Sequence, residues 1–196
     1  MNAVEDESRL TIEACQGSIE AFETLVTSYE PRIRRMLYGL THDIQLTQDL
    51  CQETFLAAYR ALPRMDGGTL RFAPWLYRIA LNQVRSEWRR QKHVAVVPLT
   101  SLSSEDNDVW EGVSQEYLGD DSLFEDHVVE RDLVRQVLEQ LPPASAECLL
   151  LDAEGFSYLE IAEILQDTLS AVRSRLSRAR QTFRRIYAGL NREGIK

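Results

Sequence analysis

Apolar side chains recur at intervals of three and four from Leu10 to Tyr38: Ile12, Ile19, Phe22, Leu25, Val26, Tyr29, Ile33 and Leu37. That is the period of a helix burying one face. Pro31 lies within the run and, lacking the N–H that a helix interior uses, marks a kink or a boundary. The pattern breaks at Thr41-His42-Asp43 and resumes from about Ile44 to Leu62, with Leu46, Leu50, Phe55, Ala58 and Tyr59 inward. Pro63 ends it, and Asp66-Gly67-Gly68 is a loop signal. A third helix is predicted from Pro74, a residue suited to a first turn, to Arg90. Trp75, Leu76, Ile79, Ala80 and Val84 form its apolar stripe, and Arg78, Asn82, Arg85, Arg89 and Arg90 take the remaining surface. Helices that each bury one face make a small helical domain, here residues 10–93.

Residues 94–122 lose the periodicity. Val94 to Leu99 suits a short extended piece, but residues 101–122 are rich in Ser, Asp and Glu, and such a stretch reads as a linker. Trp110 and Tyr117 are its isolated apolar groups, open equally to loose packing on a neighbour and to partner binding. A second helical domain, 123–190, comes after it. Val128, Leu133, Val137, Leu138 and Leu141 form a stripe ended by Pro142-Pro143, and a short helix from Ala144 to Asp152 stops at Gly155. Ser157 followed by Glu160 is a capping-box pattern opening a helix through Leu165. After Gln166-Asp167-Thr168, a last helix from about Ser170 to Leu190 buries Val172, Leu176, Ala179, Phe183 and Ile186. The expected fold is therefore all-α, two small helical domains joined by an acidic linker.

The formal net charge of -9 argues against a nucleic-acid ligand only until it is resolved along the chain. Residues 31–93 carry 11 Lys and Arg against 5 Asp and Glu, and residues 171–196 carry 8 against 1. Between them, 94–130 carry 10 acidic residues and no basic one, and 131–170 carry 8 acidic against 2 basic. Each basic block can meet phosphate locally, while long-range attraction by the whole molecule is weak, so specific contacts or a partner must supply affinity. Cys15, Cys51 and Cys148 have no Cys or His at metal-ligand spacing, and His42, His93 and His127 do not converge, so no metal or other cofactor is expected. No apolar run is long enough to span a bilayer and the acidic N-terminus is no signal peptide, which points to the cytoplasm.

The strongest local signal is the pair of helices around Leu159 to Leu165 and Ser170 to Leu190 across a short turn. This is helix-turn-helix architecture, whose second helix enters the major groove. Ser170, Arg173, Ser174 and Arg178 occupy the end that reaches base edges, whereas Arg180, Arg184 and Arg185 read as phosphate or solvent groups. A basic helix facing solvent or an acidic partner is the blander alternative. Between Arg71 and Lys92, Phe72, Trp75, Tyr77 and Trp88 interleave with Arg, a combination that suits unstacked bases, although Trp75 also lies on the core stripe. Gln48, Asp49, Gln52 and Glu53 beside Phe55 suit either a solvated face or the rim of a protein interface. No catalytic set is present: there is no HExxH, no phosphate-binding glycine loop and no Gly-x-Ser-x-Gly, and an enzyme is not expected.

The two basic blocks resemble the extracytoplasmic-function group of bacterial sigma factors. AFETLVTSYEPRIRRMLY, QDLCQETFLAAYRAL and FAPWLYRIALNQVRSEWRR resemble the family's second region, and VLEQLPPASAECLLLDAEGFSYLEIAEIL with SAVRSRLSRARQTFRRIY its fourth. The resemblance implies promoter-specific initiation with core RNA polymerase and no catalysis. It places Asp49, Gln52, Glu53 and Phe55 on the polymerase clamp helices. It gives capture of the unpaired minus-ten strand, with a base flipped into a pocket, to the loop Arg64–Arg71 and to Arg78, Asn82, Arg85 and Arg89. Reading of the minus-thirty-five duplex falls to Ser170, Ala171, Arg173, Ser174 and Arg178. It further implies an anti-sigma partner covering both DNA-binding domains, and a monomer as the active form.

Three departures qualify the match. Ala146 stands where the family commonly has Arg, Ser170-Ala171-Val172-Arg173 replaces Gly-Thr-Val-Lys, and of the usual Ala-Glu-Asp only the acid of Gln48-Asp49 remains. Exchanging Lys for Arg turns a point charge into a bidentate fork, so the promoter sequence cannot be borrowed. The rival expectation is a conventional helix-turn-helix regulator that binds duplex tightly without polymerase.

Overall fold

The structure, a computed structural model, describes residues 3–94 and 124–193, and all of its regular elements are helical. In the first half α1 is Ala3–Cys15, α2 Ile19–Thr41, α3 Ile44–Ala61 and α4 Phe72–Val94, with a 3-10 turn at Leu62–Arg64. In the second, α5 is Phe124–Glu139, α6 Pro143–Ala153, α7 Tyr158–Leu165 and α8 Leu169–Glu193. The expected extended piece at Val94 to Leu99, Trp110, Tyr117 and the acidic linker lie outside the described residues.

Three boundaries differ from the periodicity. The stripe from Leu10 to Tyr38 is two helices, because Gly17 takes a left-handed φ of 96° and the Ser18 side chain caps α2 by accepting from Ala21 N at 3.2 Å. Ile12 and Ile19, assigned inward, are 39% and 56% exposed, since the turn between them rotates each away from the common face. Pro31, in contrast, interrupts nothing. It sits inside α2, where the carbonyl it leaves without a partner belongs to exposed Thr27 and can meet water. Likewise α4 starts two residues before Pro74, and Tyr59 is 46% exposed rather than inward.

Local chemistry fixes the other ends. The Asp43 carboxylate accepts from Leu46 N at 2.9 Å to start α3. Ser157 and Glu160 form the capping box at α7, each side chain meeting the other's backbone N–H. Gln166 ends α7 with φ 55°, which turns the chain from α7 into α8. The second half then folds as the expected helix-turn-helix.

The halves share one core. Gly39 of α2 approaches Leu150 of α6 so closely that an added Cβ would stand 3.0 Å from a Leu150 methyl. Tyr77 of α4 meets Phe156 edge to face at 4.7 Å between ring centres. α2 packs on α5 and α6, and α4 on α7, so the second half lies against the face of the first that carries α2 and α4.

Candidate nucleic-acid interface

On α4 the spacing of Arg78, Asn82, Arg85 and Arg89 by four, three and four places them on one face. Asn82 and Arg89 are exposed, and Arg89 Nη2 donates to Ser86 at 2.9 Å. Arg78 is half-buried. Arg85 is engaged: its Nε and Nη2 donate to the two oxygens of Glu147 at 2.9 and 2.6 Å, a bidentate pair. Glu147 comes from α6, and its side chain is 4% exposed. Its hydrogen bonds are the main reason that the guanidinium is held more firmly protonated than usual.

Arg71 is engaged in the same way. It pairs with Glu160 and, at 3.1 Å, with Glu163, both on α7. Glu160 is thus shared between its own helix cap and the other half of the molecule. Burial alone would raise its pKa, but the Ser157 bonds and Arg71 together hold it below the usual carboxylate value. At a third site Glu154 takes Arg32 at 2.9 Å, Arg35 at 3.1 Å and the Tyr77 hydroxyl at 2.8 Å. Desolvation first, and then Glu154, push the Tyr77 phenol far up, so it stays a donor. Three carboxyl-bearing sites of one half therefore cover three basic sites of the other. None of these four glutamates was a candidate from the sequence, and the available signal was charge: the acidic stretch 131–170 follows the basic stretch 31–93.

Arg64 is exposed at the start of the loop that ends in Arg71. On α8, Ser170, Arg173, Ser174 and Arg178 are exposed near the N-terminal end and Ala171 is half-buried. Thr168 caps this helix by accepting from Ala171 N at 3.1 Å. The neighbouring arginines are structural. Arg175 pairs with Asp167 at 2.7 Å. Arg180, expected at phosphate or in solvent, instead donates to both oxygens of Asp152 at 2.8 and 2.7 Å and to the Tyr158 hydroxyl at 3.0 Å. It is thus drawn onto α6 and α7, and bracing the helix-turn-helix occupies donors that phosphate would need.

The α2–α3 face carries an open groove of about 710 Å³ lined by Phe22, Val26, Glu30, Arg34, Gln48, Cys51, Gln52, Phe55, Leu56 and Tyr59. Gln52 is exposed at its rim, Asp49 and Glu53 are exposed on the same helix, and Phe55 is 9% exposed, a wall of the groove rather than a projecting contact. Leu56 and Tyr59, at 44% and 46% exposure, are the apolar groups the sequence reading missed there, because Tyr59 fits the inward stripe equally well. Burial pushes the Cys51 thiol to about 11, so it stays uncharged.

Comparison with known proteins bears on both halves. The family described as Sigma-70 region 2 matches residues 25–94, and that described as Sigma-70, region 4 matches residues 131–183. The RNA polymerase sigma-H factor of Pseudomonas aeruginosa is 32% identical over 198 residues, covering 96% of this chain and 97% of that protein. The RNA polymerase sigma factor CarQ of Myxococcus xanthus is 33% identical over 178 residues, 90% of this chain and 95% of that one. The ECF RNA polymerase sigma-E factor of Haemophilus influenzae is 32% identical over 172 residues, 85% of this chain and 87% of that one. Among solved structures, CnrH in complex with the cytosolic domain of CnrY shares the fold. Its TM-score is 0.69 at 24% identity, over 94% of this chain and 98% of that one.

Proposed function

This protein belongs to the extracytoplasmic-function group of the sigma-70 family of RNA polymerase sigma factors, and we propose how its halves divide promoter recognition. It is not an enzyme: it binds core polymerase and directs initiation at specific promoters. Residues 10–93 capture the melted minus-ten strand through Arg64, Arg71, Arg78, Asn82, Arg85 and Arg89. Residues 123–190 read the minus-thirty-five duplex through Ser170, Ala171, Arg173, Ser174 and Arg178, and 94–122 connect them. Asp49, Gln52, Glu53 and Phe55 of α3 bind a polymerase helix at the α2–α3 groove, where Gln52, Phe55, Leu56 and Tyr59 belong to the lining and Asp49 and Glu53 are exposed on the same helix. The cytoplasm, where polymerase and promoter meet, is the working compartment. No helix among the described residues is long and apolar enough to cross a membrane.

The observation that supports this division is the exposure of Asn82 and Arg89 on α4 and of Ser170, Arg173, Ser174 and Arg178 on α8, while the Arg85–Glu147 pair says what the closed protein withholds. Capturing a strand phosphate with Arg85 means giving up Glu147, and a carboxylate 4% exposed tolerates that only if the halves part and water reaches it. The closed protein is thus a resting form, and polymerase, by holding the halves apart at their two promoter elements, frees Arg71 and Arg85. An anti-sigma partner that binds both halves keeps the resting form. Run-off transcription with purified core polymerase on a genomic fragment library tests the assignment. Discrete starts should appear only with the protein and share motifs upstream. Alanine at Asn82 should then weaken the minus-ten element alone and alanine at Arg173 the minus-thirty-five element alone. Equal losses from both on every template would refute the division.

A further inference from the structure

α1 precedes the residues that match the region 2 family, and no contact assigned above uses it. It nevertheless backs the loop between Arg64 and Arg71. A Cβ built on Gly67 would lie 2.8 Å from Ile12 Cα and 3.2 Å from Cys15 Cβ, a backbone contact that no side-chain rotation relieves. Gly67 is not among the residues with positive φ, so the glycine serves close approach and not a left-handed turn. The loop around it is closed by hydrogen bonds to Asp66. Asp66 accepts through its carboxylate from Gly68 N at 3.0 Å and Thr69 Oγ1 at 3.1 Å, and through its carbonyl from Leu70 N at 3.0 Å. Met65, Gly67 and Leu70 are half-buried, while Arg64, Thr69 and Arg71 are exposed.

α1 is itself held in register. Thr11 and Ala14 are buried against the rest of the half, and the Glu7 carboxylate accepts a hydrogen bond from the Tyr29 hydroxyl. The Tyr29 ring packs on Phe72, the first residue of α4, at 5.5 Å between centres. The same side chain therefore ties α1 to α2 and to the residue just past the loop.

We propose that α1 is a positioning element for strand capture, in which the seat of Gly67 on Ile12 and Cys15 sets where Thr69 and Arg71 meet an unpaired base. This rests on the reading of that loop as the minus-ten capture loop. Gly67→Ala moves the loop off α1 by roughly half an ångström or more, while Tyr29→Phe keeps the ring and removes only the bond to Glu7. Each variant is assembled with core polymerase and bound to templates pre-opened at a minus-ten element mapped by run-off, with each base changed in turn. Base discrimination at the loop-read positions should fall about tenfold for Gly67→Ala and about threefold for Tyr29→Phe. Minus-thirty-five duplex preference and core affinity should stay unchanged. Unaltered discrimination in both variants, with only thermal stability lowered, would overturn the role of α1. Arg71→Ala separates the two ideas: if it too leaves strand binding intact, the loop reading has failed and takes the proposal with it. If Arg71→Ala weakens capture while the other two do nothing, α1 alone is wrong.

Discussion

Replacing Glu147 by Gln tests the resting form directly. The change keeps the shape of the α6 side chain but removes the charge that Arg85 grips with two bonds of 2.9 and 2.6 Å. A hydrogen bond to a charged partner contributes about 1.5–3 kcal/mol. Here the gain is smaller, because the Arg85 side chain is 34% exposed and stays partly hydrated. About 1–2 kcal/mol remains, a shift of roughly five- to thirtyfold in the ratio of closed to open protein. Apparent affinity for a single strand scales with the open fraction, so it should rise by up to that factor. The assay is fluorescence anisotropy of a labelled minus-ten oligonucleotide with the free protein, alongside energy transfer between dyes on the two halves. Glu23→Gln, the same charge change on the exposed face of α2, controls for the added positive charge. Arg85→Ala should open the halves without raising affinity, since it removes the lock and the strand contact together. If Glu147→Gln separates the halves yet strand affinity does not exceed that of the Glu23 control, the competition between carboxylate and strand is wrong.

Three further outcomes are expected from the geometry. Arg173→Ala should cost about 1–3 kcal/mol of base discrimination at one minus-thirty-five position, while Arg184→Ala weakens all duplexes alike and lowers the salt slope; competition binding of holoenzyme to mutated promoters tells them apart. Asp152→Asn removes the charge that holds Arg180 across α6 and α8, a partly exposed pair contributing about 1 kcal/mol, so thermal unfolding should shift down by a few degrees while Arg173-dependent discrimination persists. Burial raises the folded Cys51 thiol from 9.0 to about 11, so its contribution to stability is complete below pH 9 and is lost as pH rises toward 11. Cys51→Ala should flatten that part of the alkaline unfolding profile, and an unchanged slope would show that other groups carry it.

Much of this architecture is legible in the chain because its determinants are local. Ser157 and Glu160 announce the start of α7, Gly155 the end of α6, and the basic stripe after Thr168 the reading helix. The break between α1 and α2 escapes a periodicity argument since the apolar spacing runs straight across Gly17, and only the positive φ there shows that the phase is lost. The Arg–Glu seam escapes for another reason. Glu147, Glu154, Glu160 and Glu163 belong to no single stripe, and they meet Arg32, Arg35, Arg71 and Arg85 only when helices far apart in sequence are packed. Resemblance to a family assigns a residue such as Arg85 to a strand. It does not say what the same residue holds when the strand is absent.

Gly39 sits two residues before the end of α2, where alanine would make a better helix by about 1 kcal/mol. The chain tolerates it because Leu150 fills the space where a Cβ would stand. Once the halves part, that compensation is gone and the last turn of α2 is left with a glycine facing water. Amide hydrogens around Leu40 and Thr41 should then exchange with solvent much faster in the opened protein than in the closed one. If the halves part as proposed, docking of the second half is what offsets the glycine, and amide exchange at the end of α2 reports which form is present.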